Sequence, residues 1–109
     1  MKFTIGEDAI ALSNPMFGAL SQPRIKGKTY KVLAVQYCTR CGIQSINVAG
    51  RTPEFYRPLV SCDCGSIQNN EGLWWTNSTE FIKPEDVQQA IEAAVEIEDY
   101  EFAQTLSEL

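Results

Sequence analysis

Cys38-Thr39-Arg40-Cys41-Gly42 and Cys62-Asp63-Cys64-Gly65 contain all four cysteines of the chain. A Cys-x-x-Cys turn brings two thiolates to one point, where turn amides can donate to the sulfurs. Glycine follows the last cysteine of each pair, so the chain can bend away with positive φ. Twenty residues separate the pairs, enough for a hairpin that closes them onto each other. Zinc takes four such ligands at about 2.3 Å in a tetrahedron. We therefore expect one zinc ion on Cys38, Cys41, Cys62 and Cys64. Four thiolates leave no open coordination position, so the metal is expected to be structural. Iron suits the same donors but ranks below zinc. The competing reading is two disulfides or four buried thiols.

Outward from the cysteines, the segments read as short strands. Tyr30 to Tyr37 is the clearest, apolar on both faces, and is expected to be central. Phe3–Ile5 and Ala9–Leu12 flank a turn at Gly6-Glu7-Asp8. Gln44–Val48, Phe55–Ser61, Leu73–Thr76 and Glu80–Lys83 follow, with a turn at Asn69-Asn70-Glu71-Gly72. Of Trp74 and Trp75, alternation should turn one inward and one outward. Residues 13–28 form a long irregular stretch marked by Asn14-Pro15, Gly18, Pro23 and Gly27.

The period changes at Pro84, which suits the first position of a helix, with Glu85 and Asp86 at its positive end. Val87, Ala90, Ile91, Ala94 and Val95 make one helical stripe. Tyr100, Phe102, Ala103, Leu106 and Leu109 follow a shifted phase. Two helices are expected, about 85–97 and 100–108, with Asp99 capping the second. Charge divides at the same place. Residues 1–84 hold all nine Lys and Arg against six acids, whereas 85–109 hold eight acids and no base, giving −5 in all. We expect a β unit over 1–83 and an acidic helical hairpin over 84–109.

Three resemblances follow from these residues. The cysteine segment, about 36–66, resembles a zinc ribbon, although its second knuckle is Cys-x-Cys, one residue short. Gly27-x-x-Tyr30-x-Val32-x-x-Val35 after a long loop resembles SH3-like barrels. The fold class this implies is mainly β with C-terminal α: a small SH3-like barrel with an inserted zinc ribbon, then a two-helix hairpin. Glu98-Asp99-Tyr100-Glu101 with Ala103, flanked by Ala94 and Leu106, resembles the UVR motif. That motif mediates protein–protein contact in excision-repair subunits, Clp-type chaperones and zinc-containing activators of protein arginine kinase, the last similar in outline to this chain. It implies that Glu98, Asp99, Tyr100, Glu101 and Ala103 bind a partner. Gln104 and Ser107-Glu108 depart from its usual continuation.

The chain has no histidine. That removes histidine bases, nucleophile pairs and metal ligands together, and a non-catalytic role is expected. No apolar run is long enough to span a membrane. The N-terminus turns acidic at once and does not read as a signal peptide, so a reducing cytoplasm is expected. These features point to an adaptor that docks proteins through the hairpin and an exposed barrel face, with dimerisation through the helices as an option. The competing class is a nucleic-acid-binding module. It would use Arg24, Lys26, Lys28, Lys31 and Arg40 for phosphate and Trp75 for stacking.

Overall fold

The computed structural model describes residues 2–15, 22–52, 60–61, 64, 67–68 and 72–109. Among them, eight short strands make two three-stranded antiparallel sheets and one two-stranded hairpin. The first sheet has the order β2 (Thr29–Lys31), β1 (Asp8–Ala11), β8 (Phe81–Ile82). The second has the order β3 (Ala34–Tyr37), β4 (Gln44–Asn47), β7 (Thr76–Asn77). β5 (Val60–Ser61) pairs with β6 (Ile67–Gln68). The sheets are mixed with two C-terminal helices, and no closed hydrogen-bonded barrel forms among the described residues.

Two corners join the sheets. At the first, Val32 exchanges backbone hydrogen bonds with Gly6 and Glu7 on the β1 side, while the Leu33 amide donates to Asn47 at the end of β4. Consecutive residues thus serve different sheets, so the expected strand 30–37 is bent in two. Its halves are β2 and β3, each at the end of a sheet instead of its centre. The second corner is a 3-10 turn, Ser78–Glu80, between β7 and β8. Folding at two corners encloses one core. Ala9, Ala11 and Phe81 meet Ile46 and Val48 there, with Phe3 and Val32 filling between.

Three buried side-chain amides stand in for missing ladder bonds. Gln44 accepts from the Phe3 amide at 2.8 Å and donates to the Phe3 carbonyl at 2.7 Å. A side chain thereby satisfies both backbone groups of Phe3, which explains why the expected strand Phe3–Ile5 does not form. Gln22 is fully buried and uses its whole amide capacity, two donors and two lone pairs. It donates to the Ile46 carbonyl and the Thr76 hydroxyl, and accepts from the amides of Val48 and Ala49. Asn47 donates to the carbonyls of Gly50 and Trp74 at 2.8 and 2.6 Å. Each amide ties a loop to the second sheet. The expected extended run 55–61 and the turn 69–72 lie largely outside the described residues.

A 3-10 turn at Pro84–Asp86 leads into α1 (Val87–Glu96), and α2 (Tyr100–Ser107) follows. Asp99 caps α2 through the Phe102 amide, as its sequence position predicts. α1 ends with Glu98 at φ 62. Its amide bonds the Val95 carbonyl and the Asp99 amide bonds that of Ala94, the paired bonds of a Schellman ending. Ala94, Ala103 and Leu106 turn inward and are buried. The hairpin rests on the loop beside β1. Gly27, whose amide donates to the Ala11 carbonyl, meets Thr105 and Phe102 of α2. A Cβ on Gly27 would stand 2.6 Å from Thr105 Cγ2, and its φ is +86, so only glycine fits this approach.

Replacing Gln22 with leucine orphans two amides, a carbonyl and a hydroxyl in the interior. We expect Gln22→Leu to lower the unfolding free energy by about 3–5 kcal/mol, at about 1 kcal/mol for each group. Urea denaturation measures this, and a loss under about 1 kcal/mol would contradict the role given to Gln22.

Candidate metal centre

Cys38 and Cys41 belong to one hairpin and Cys64 to another. The first two sit at the end of β3–β4, whose register runs from Ala34↔Asn47 to Tyr37↔Gln44. Beyond that last pair the chain turns through Cys38 and Cys41. The Gly42 amide donates to the Cys38 carbonyl, and the Cys38 amide to the Ile43 carbonyl, both at 2.9 Å. Gly42 has φ 78, the bend its place after the knuckle requires. Cys64 lies in the connection between β5 and β6. The first knuckle and Cys64 thus come from different hairpins, and β4 between them belongs to the core sheet.

The Sγ atoms of Cys38, Cys41 and Cys64 all lie within 4.8 Å of one another. Cys38 and Cys64 are 3.6 Å apart, sulfur to sulfur. A disulfide would need about 2.05 Å. Sulfurs bound to one zinc at about 2.3 Å are separated by about 3.8 Å, the edge of the tetrahedron. The separation thus fits shared coordination and does not fit a bond between these two. Cys38 is buried, Cys64 half-buried and Cys41 exposed. The centre would sit at the surface end of the second sheet, below it Gln44, which also donates to the Tyr37 hydroxyl at 3.2 Å. Cys62, the fourth expected ligand, lies outside the described residues.

The residues assigned to a partner divide into two sets. Asp99 and Ala103 face the chain itself. Ala103 is buried under the hairpin, and Asp99 accepts from Lys26 Nζ at 2.8 Å. The Lys26 ammonium also stands 4.4 Å from the centre of the Phe102 ring. One carboxylate therefore caps α2 with Oδ1 and holds the loop with Oδ2. Lys26 first, and then the Phe102 amide, keep the Asp99 carboxyl below its usual range. Glu98, Tyr100 and Glu101 are exposed.

The basic residues are mostly engaged within the fold. Arg24 is half-buried and donates to the Gln22 carbonyl and the Ser13 hydroxyl. Burial lowers its pKa, and the nearby Glu80 carboxylate opposes that shift. Lys31 pairs with Asp8 at 2.7 Å, and Lys28 stands 5.6 Å from the Tyr30 ring centre. Arg40 is exposed on the cysteine turn. Trp74 and Trp75 are both half-buried, so strict alternation does not separate them. They lie between the Leu73 bridge to Arg51 and β7, outside any regular strand.

No protein-family model, curated protein or solved structure matches this chain. The reading of the centre rests on its own geometry.

Native mass spectrometry should find one zinc ion per chain, and a chelator should release it together with reactive thiols. Cys38→Ser or Cys64→Ser should abolish stoichiometric zinc and lower the melting temperature. A metal-free chain with unchanged stability would contradict the assignment.

The Lys26–Asp99 pair gives a second expectation. Because the folded-state pKa of Asp99 is depressed, its contribution is present above the ordinary carboxyl value of about 3.9 and lost as pH falls through the lower folded value. Glu7, held low mainly by the Thr4 hydroxyl, titrates in the same direction. The difference between wild type and Asp99→Asn isolates Asp99. Amide exchange in α2 should accelerate below about pH 4 in wild type, and Asp99→Asn should remove most of that step. An identical acid response in both proteins would contradict the clamp.

Proposed function

We propose that this chain is a zinc-stabilised, non-catalytic adaptor. The observation that carries the reading is the convergence of Cys38, Cys41 and Cys64 within 4.8 Å. Cys62 supplies the fourth thiolate, which closes the coordination sphere and leaves the metal a structural task. The two hairpin ends then form a zinc ribbon, and the two sheets bent at Val32-Leu33 are read as an opened SH3-like barrel. The setting is the cytoplasm, where thiols stay reduced. Among the described residues no helix is long and apolar enough to cross a membrane.

Partners dock on two surfaces in this reading. One is the outer part of the UVR-like hairpin, at Glu98, Tyr100 and Glu101. The other is the first corner of the sheets, where Ile5 and Leu33 are exposed. The engagement of Arg24, Lys26 and Lys31 within the fold supports an adaptor over the nucleic-acid alternative, because these charges already have partners. Phosphate contacts would have to displace those interactions.

Two binding measurements separate the classes. A partner captured from source-cell lysate should stay bound at 0.3 M salt and be lost on Tyr100→Ser or on zinc removal. A single-stranded oligonucleotide should bind weakly, with no change on Lys28→Glu. Tight oligonucleotide binding that collapses with salt and on Lys28→Glu would overturn the adaptor reading.

A further inference from the structure

The hairpin buries its inner face and leaves large apolar side chains at its tip. Ile97 is 75% exposed, Tyr100 61% and Val95 46%, within six consecutive residues. Single exposed apolar residues are ordinary, but a cluster rimmed by charge marks an interaction site. Here Glu96, Glu98 and Glu101 alternate with them along the chain, all exposed. Residues 85–109 contain no base to balance them. Among the described residues, one ion pair reaches this acidic segment, and it uses Asp99. The tip thus exposes apolar side chains interspersed with acidic ones.

The tip is also held in one shape. The two Schellman bonds fix Glu98 and Asp99, and Asp99 ties the turn to both α2 and Lys26. A preorganised surface loses little entropy when it is covered. Glu98 adds a separate pointer. It occupies a left-handed position, φ 62, where glycine would be less strained. A charged side chain is kept there at a conformational cost.

We propose that this tip is a docking surface for a basic amphipathic segment of a partner protein. Apolar residues of that segment would cover Ile97, Val95 and Tyr100, while its Lys or Arg side chains pair with Glu96, Glu98 and Glu101. The sign of these charges excludes polyanions and anionic lipid. It disfavours a second copy of the tip, which would bring like charges together. This inference rests on the adaptor reading and narrows it to one site and one partner chemistry.

The test uses the full zinc-loaded chain and a fluorescein-labelled helical peptide with leucine and lysine at i, i+3, i+4 spacing, followed by anisotropy at 0.15 M salt. Ile97→Ser should weaken binding about tenfold, equivalent to about 1.4 kcal/mol. Glu98→Gly should raise the melting temperature by relieving the strained φ, yet weaken binding several-fold. A purely structural residue would not move those two readouts in opposite directions. Glu85→Gln and Glu108→Gln, away from the tip, should leave binding unchanged. Equal losses from those two distant variants would show diffuse charge attraction and overturn the site. So would equally tight binding of a leucine–glutamate peptide, or sedimentation showing self-association lost on Ile97→Ser. Retained capture of the cellular partner by Ile97→Ser would overturn the tip and leave the adaptor reading standing. No capture by wild type at all would overturn the adaptor reading itself.

Discussion

Three cysteine sulfurs within 4.8 Å set the constraint on which the second sheet depends. As thiolates they would repel one another, and a cation among them would turn that repulsion into a strong tie. Such a tie would join two segments distant in sequence, the end of the β3–β4 hairpin and the connection between β5 and β6. Each of these strands has four residues or fewer. A two-stranded hairpin of that size is marginal in water by itself. Fixing both ends to one metal would compensate for the small area each hairpin can bury.

Away from the centre the same shortage of regular pairing is met by side-chain amides. Gln44 pairs with the backbone of Phe3, Gln22 bridges β4 and β7, and Asn47 holds the Gly50 and Trp74 carbonyls. These bonds matter because the strands end early at both corners, leaving backbone groups that would otherwise be buried without partners. The hairpin is attached by different means. Lys26, Asp99 and Phe102 form a half-exposed clamp, and Gly27 allows close approach to Thr105. The β unit and the helices are thus joined by a polar contact near the hairpin turn, with small buried residues beneath.

Features encoded by local rules were legible in the sequence. The Cys-x-x-Cys-Gly spacing predicted a knuckle, and its Cys38 and Cys41 converge with Cys64. The phase shift after Val95 predicted two helices, and Asp99 caps the second. Features that depend on distant partners were not legible. Gln22 reads as one more polar residue of a loop, yet its partners lie 24 to 54 positions away. The run 30–37 reads as one strand because local pattern cannot register that Val32 and Leu33 bond to different sheets. Ala103 matched a partner-binding motif, and its burial within the hairpin could not be read from that match. The exposure of Val95 was equally invisible, since the residue belongs to the first helical stripe.

X-ray absorption at the zinc edge on the purified chain tests the central claim most directly, because it reports the whole ligand set, Cys62 included. The account predicts a single shell of four sulfur neighbours at about 2.3 Å. A shell containing nitrogen or oxygen near 2.0 Å, or a protein that retains no zinc, would contradict a closed four-cysteine centre and the structural role built on it.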